Sequence, residues 1–257
     1  MFYLLSFFYG AAIGSFVQVV ATRLNVAPII RSRSKCLSCG EALRASDLVP
    51  ILSYLFLRGK CKYCKVPYGR EAILVESMFG LVFALLYHFI LVYQTPDFLV
   101  FWLLYYTLLF ISLGVIALYD YRHSYVPILF LGLFSFLAFL VMGIRYVHDP
   151  SFTVLLGPLV VSLPFLLVWL VTQGKALGLG DVLLYISVGA FFGIEQGLAV
   201  LFISVWLGAI IGICIYFFRR KAGNMSTAIP FVPYIVMAFL IVLFTDMDIF
   251  SIARLFA

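Results

Sequence analysis

A chain of 257 residues that is 65% hydrophobic, 18% aromatic and only 11% charged is not a water-solvated globule, because soluble domains carry roughly 25% charged residues. Its formal net charge of +6 raises nucleic acid as a partner. The basic residues gather instead at the ends of apolar runs, the pattern that orients membrane proteins, so the distribution points to a lipid bilayer and to no nucleic acid.

A membrane span needs about 20 mostly apolar residues. Taken along the chain, candidate runs cover 2–21, 72–93, 98–119, 126–147, 152–172, 182–194, 197–218 and 229–245. The expected fold class is an all-α polytopic membrane protein of about eight transmembrane helices with a small cytoplasmic zinc-ribbon-like loop domain. The sixth run is short and reads as tilted, partly re-entrant or extended back toward Gly180. The first run has neither a basic n-region nor a small-residue cleavage site, which argues against a removable signal peptide. No internal repeat or low-complexity stretch is evident.

The loops set the orientation. With the N-terminus outside, the segments 22–71, 120–125, 173–181 and 219–228 face the cytoplasm and hold ten, one, one and three of the 17 Lys and Arg residues. Only Arg145 and Arg254 remain for the other side, so both termini are expected there by the positive-inside rule.

The first loop is the one long hydrophilic segment. It contains Cys36-Leu-Ser-Cys39 and Cys61-Lys-Tyr-Cys64, two C-x2-C hooks that together offer the four thiolates of a closed zinc site. Two disulfides are the alternative, disfavoured in a reducing cytoplasm. Four thiolates on a zinc ion leave a charge near minus two, which Lys35, Lys60, Lys62 and Lys65 would offset. With no open coordination position, such a metal is structural. Cys214 sits alone in the seventh run as a small packing residue.

Of the eleven acidic residues, Glu41, Asp47, Glu71, Asp97, Asp149, Glu195, Asp246 and Asp248 fall in loops or outer segments and read as solvated charges. Glu76, Asp120 and Asp181 remain. Glu76 lies about one turn inside the second run, where an ionisable group is a functional candidate by default or an end-of-helix charge paired with Arg70. Asp120 closes the third run, and Asp181 follows Gly178-Leu179-Gly180 at the start of the sixth. Either aspartate alone reads equally as a snorkelling or capping residue. As a pair at one membrane depth beside a Gly-x-Gly break, they read as an acid–base dyad, since two close carboxylates share a proton and can activate water while donating to a carbonyl. Gly178 and Gly180 are expected to let irregular backbone approach a substrate strand. The three histidines, His88, His123 and His148, have no metal-ligand spacing, and His123 reads as a juxtamembrane residue.

These residues together resemble the type IV prepilin peptidases, or prepilin leader peptidase/N-methyltransferases, in order along nearly the whole chain. Gly14-Ser15-Phe16 with Val19, Arg23 and Leu24 is similar to the family's G-S-F-x-N-V-x-x-x-R-L-P box. The stretch from Arg33 to Cys64, with Pro50-Ile51-Leu52-Ser53-Tyr54 and Arg58-Gly59-Lys60-Cys61, resembles its zinc loop, and Leu74-Val75-Glu76 the start of the following span. Asp120 with Val126-Pro127 resembles the first catalytic aspartate and its trailing I-P-D, and Gly178-Leu179-Gly180-Asp181-Val182 the G-x-G-D-V-K motif of the second. Ile229-Pro230-Phe231-Val232-Pro233-Tyr234 is similar to the late I-P-F-G-P box. Gln18, Asn25, Ile128 and Leu183 depart from the family's usual Asn, Pro, Asp and Lys.

The resemblance implies a membrane aspartic peptidase of the bacterial inner membrane, with Asp120 and Asp181 catalytic and Glu76, Gly178 and Gly180 around the active site. It implies domains at 1–21 (first helix), 22–71 (four-cysteine zinc loop) and 72–257 (peptidase). The implied substrate is a type IV prepilin or pseudopilin. Its leader is cleaved and the new N-terminus methylated from S-adenosylmethionine, for which no residue motif marks a pocket. Presenilin-like and signal-peptide-peptidase-like proteases share the Tyr119-Asp120 and Gly-x-Gly-Asp features but lack the cysteine loop. A transporter with a zinc-ribbon docking domain would need polar groups near the bilayer midplane, and these spans offer almost none.

Overall fold

Where water is absent, a segment must satisfy every backbone N–H and C=O internally, so long apolar runs become helices. The computed structural model describes residues 1–26, 28, 34–36, 38–93, 98–175, 177–220 and 230–254. Ten α-helices occur among them: α1 (Phe2–Arg23), α2 (Leu52–Phe56), α3 (Glu71–Tyr93), α4 (Leu99–His123), α5 (Ile128–His148), α6 (Phe152–Thr172), α7 (Leu179–Phe192), α8 (Ile194–Arg220), α9 (Val232–Thr245) and α10 (Ile249–Arg254). No strand forms among the described residues. Only isolated bridges pair Lys35 with Ala42 and Lys60 with Pro67. Residues 221–228 of the last expected inner loop, together with Ile229, Asp97 and Arg33, lie outside the described residues.

Six helices (α1, α3, α4, α5, α6 and α8) are long and apolar enough to cross a membrane, so the protein is an all-α multi-pass membrane protein. The sixth and eighth expected spans are different in kind. As α7 and α9, each has 14 residues and measures about 21 Å at 1.5 Å per residue, short of a hydrocarbon core about 30 Å thick. The third expected span ends at 119, whereas α4 continues to His123. Asp120 is therefore enclosed within a helix and does not terminate one.

The chain forms two compact units, Met1–Ile111 and Ser112–Ala257. The division falls inside α4. In the first unit, α1 and α3 run antiparallel: Tyr3 Oη pairs with His88 Nδ1 at 3.1 Å and Ser6 Oγ donates to the Phe83 carbonyl at 2.6 Å. A Cβ on Gly10 would lie 2.5 Å from the Phe79 carbonyl oxygen, and one on Gly14 2.8 Å from the Phe79 Cβ. Gly14 of the first sequence box thus serves close helix packing, the usual work of small residues in membrane interfaces. It also fixes which face of α1 turns toward the cysteine loop.

In the second unit, α7 is the buried centre. Val182, Leu184, Tyr185, Val188 and Ala190 are at most 2% exposed, and α5, α6 and α8 all pack on it. Phe165 of α6 stacks on Tyr185 at 4.3 Å between ring centroids, and on Phe231 at 5.6 Å. The Arg145 guanidinium of α5 donates to the Phe191 carbonyl at the end of α7, satisfying an acceptor that the helix itself leaves open. Gly193 then adopts φ 81°, ψ −162°, a region essentially reserved for glycine, and the chain turns into α8.

Candidate active site and metal centre

Asp120 is 6% exposed, which for a carboxylate requires a partner. Its Oδ2 accepts the backbone N–H of Val232 at 3.1 Å. Val232 opens α9, with Pro233 in its first turn, and the first N–H groups of a helix have no acceptor of their own. The helix therefore points its positive end at the carboxylate. This contact between residues 112 positions apart explains the late proline-flanked box: it begins a helix whose first amide holds Asp120. The box was visible in the sequence, but the backbone donor within it was not.

Asp181 occupies the third position of α7 behind the N-cap Gly178. The carboxylate turns back toward the N-cap, where a Cβ on Gly178 would lie 3.5 Å from Asp181 Oδ2, beside backbone amides that the helix leaves open. Asp181 is only partly buried, and the Asp120 and Asp181 carboxylates lie close enough for their charges to interact. The glycines act differently from the sequence expectation. Neither has positive φ, and Gly178 sits at φ −73°, ψ 147°, open to any residue. The requirement at Gly180 is space: a Cβ there would lie 2.8 Å from both Cβ and Cγ2 of Val126. Glycine lets the first turn of α7 close onto the segment that follows α4, and so brings the backbones carrying the two aspartates together. His123 packs against Tyr119, with ring centroids 4.5 Å apart.

Glu76 has a separate role. It is 7% exposed and accepts the Ile51 N–H at 2.7 Å, tying α3 to the cysteine loop. Ile51 has φ 62°, strained for a β-branched residue, and the carboxylate holds that turn. Its described partner is thus Ile51 in place of the expected Arg70. Asp47, read from sequence as solvated, is 9% exposed. It accepts the Arg44 N–H at 3.1 Å and lies 3.7 Å from Lys62 Nζ, with Ser46 and Tyr63 hydroxyls also donating to it. The Arg44 bond foremost, with Lys62, holds its carboxyl below the ordinary carboxylate range.

The four cysteines converge. One sulfur from each of Cys36, Cys39, Cys61 and Cys64 lies within 4.8 Å of the others, and Cys36 Sγ and Cys64 Sγ are 3.8 Å apart. Zn–S bonds of about 2.3 Å in a tetrahedron require sulfurs about 3.8 Å apart, so the arrangement fits a divalent ion. The Cys36 thiol is drawn down to about 6, first by the Cys39 N–H and then by that of Ser38. At Cys39 the lowering bond from Glu41 is outweighed by burial and the neighbouring sulfurs, and the thiol is pushed up to about 11.

The loop also contains a repeat missed in the sequence. Cys36 N–H bonds to Glu41 O and Cys61 N–H to Val66 O, both at 2.9 Å. The residue after each second cysteine is left-handed, Gly40 at φ 72° and Lys65 at φ 60°. Lys35-Cys36 and Lys60-Cys61 start two copies of one knuckle, a signal too short to register as a repeat. Cys214 lies on an exposed face of α8.

Residues 8–90 match the bacterial peptidase A24 N-terminal domain, and residues 107–213 match the type IV leader peptidase family. Relatives described as prepilin leader peptidase/N-methyltransferase include one from Myxococcus xanthus, 33% identical over 87% of this chain and 66% of its own length. Those from Pseudomonas putida and Pseudomonas aeruginosa are 30% and 29% identical, over 89% and 92% of this chain and 85% and 88% of theirs. No solved structure matches the chain.

Proposed function

The chain belongs to the type IV leader peptidase family, membrane enzymes of the bacterial inner membrane, and we propose that it removes the leader of a type IV prepilin or pseudopilin at the cytoplasmic face, with Asp120 and Asp181 as the catalytic pair. The observation that supports this reading is the placement of two carboxylates within range of each other's charge, with Asp120 held by the first amide of α9. One carboxylate is ionised and its partner protonated. The ionised one takes a proton from water, and the water oxygen bonds to the scissile carbonyl carbon while the partner gives its proton to the carbonyl oxygen. Collapse breaks the C–N bond, and the amine leaves with the proton first taken from water. The partner aspartate takes back a proton from one hydroxyl of the intermediate, which leaves a carboxylic acid and the original pair. Val232 orients Asp120 throughout.

The cytoplasmic placement rests on the loop charges, which put both termini outside. The four sulfurs are suited to zinc, closed to water and therefore structural. Methyl transfer to the new N-terminus is the second activity, for which S-adenosylmethionine supplies the methyl group. Mass spectrometry of a co-expressed prepilin tests both activities. A product lacking its leader and heavier by one methyl is expected, and an intact leader with the active chain present overturns the reading.

A further inference from the structure

The first unit holds a pocket of about 560 Å3, walled by α1, the cysteine loop and the first turns of α3. Pockets that hold cofactors measure roughly 300–1,000 Å3. An ion among four sulfurs takes only on the order of 30 Å3, a water's share, so metal does not account for this space. The peptidase mechanism gives its lining no role either, since neither Asp120 nor Asp181 is among the lining residues.

Three features of the lining point to one ligand chemistry. Ser15 and Gln18, from the box that the peptidase mechanism leaves unused, line the wall, and the Gly14 contact with Phe79 sets the face of α1 that carries them. Tyr54 and Tyr68 meet edge to face at 5.5 Å and supply aromatic surface for a base or a cation. Glu76 is buried at the wall, where its one donor among the described residues is the Ile51 N–H, although a carboxylate can accept about four hydrogen bonds. Asp47, by contrast, is committed to Arg44, Ser46, Lys62 and Tyr63. The pocket thus offers a carboxylate with unused acceptor capacity, aromatic faces and apolar wall to a ligand that is part cation, part polar hydroxyl and part flat base.

We infer that this pocket binds the methyl donor, a cationic adenosyl sulfonium of the S-adenosylmethionine type, with Glu76 taking its hydroxyl or ammonium groups and Tyr54 and Tyr68 its base or sulfonium. The inference rests on the methyl-transfer half of the proposed function.

The test measures binding of S-adenosylmethionine to the full chain in nanodiscs by calorimetry, together with ultraviolet cross-linking and peptide mapping. Cross-links are expected within residues 14–19 or 53–76. Gly69 lines the pocket, and a Cβ on it meets nothing within 4 Å, so Gly69→Leu fills space without strain and is expected to weaken binding at least tenfold. Glu76→Gln keeps an acceptor for Ile51 but loses the charge, and about tenfold weaker binding is expected. Zinc content and melting temperature show whether each variant is folded, and the wild-type cross-link map stands if one is not. Cross-links confined to residues beyond 111, or wild-type affinity in folded Gly69→Leu, overturn the pocket while leaving methyl transfer standing. A wild-type chain that neither binds S-adenosylmethionine nor yields methylated product overturns both.

Discussion

Gly180→Ala is the smallest change that separates the Gly-x-Gly motif from the aspartate beside it. The added Cβ would stand 2.8 Å from the Val126 Cβ and Cγ2, whereas ordinary contact begins at 3.4 Å, so α7 and the segment after α4 must part by about 0.6 Å. Val126 cannot yield by rotation, because one clashing atom is its Cβ and its β-branched side chain is stiff. Overpacking of this kind costs about 1–3 kcal/mol, less than the roughly 5–15 kcal/mol that typically holds a fold together. The same displacement moves Asp181 relative to Asp120, and a misplacement of about 1 Å costs roughly a hundredfold in rate. Leader cleavage by purified Gly180→Ala is therefore expected to fall about 10- to 100-fold with only a small drop in melting temperature. Val126→Gly deletes the opposing side chain, so in the Gly180→Ala background it should restore at least part of the loss, a coupling that the double-mutant cycle reads directly. A wild-type rate in Gly180→Ala, or a double mutant no faster than Gly180→Ala itself, refutes the packing argument.

Asp120→Asn and Asp181→Asn each keep the size of the side chain but cannot exchange the proton, so each should abolish leader cleavage in a mass-spectrometric assay. The double mutant should be no worse than either single one, because groups acting as a unit are not additive. Cys36→Ser or Cys64→Ser should lower bound zinc from about one per chain and raise protease sensitivity within 34–66, with membrane insertion unchanged, since structural zinc contributes folding energy to its own module. Glu76→Ala leaves the Ile51 N–H without its acceptor and should destabilise the loop by about 1–3 kcal/mol, seen as faster amide exchange at Ile51, whereas Glu76→Gln should retain protection. Asp47 has its carboxyl pKa lowered on folding, so its contribution is full at neutral pH and is lost as pH falls below about 4. Asp47→Asn should flatten that acid-side loss in a loop-unfolding titration.

The sequence by itself determined what is local. Apolar runs of about 20 residues specify helices wherever they fall, and two C-x2-C hooks specify a tetrahedral sulfur set because each hook places its own pair. Asp120 and Asp181 stood out as candidates because so few acidic residues lie outside the loops. Hydropathy did not separate the spanning helices from α7 and α9, since a helix buried among other helices is as apolar as one facing lipid; the sixth run was short already in the sequence, but only packing revealed both helices as buried. Nor did it carry α4 past Asp120, because a polar residue ends an apolar run without ending a helix. The Val232 amide that holds Asp120 is a backbone group with no side-chain signature, and it arrives from 112 residues away. Gly180 looked like a source of flexibility until Val126 was found against it, and the Ile51 amide on the Glu76 carboxylate had no signal in the chain at all. In each case the residue's chemistry was written in the chain, while its partner was chosen by the tertiary fold, because contacts between distant segments leave no trace in local periodicity or spacing.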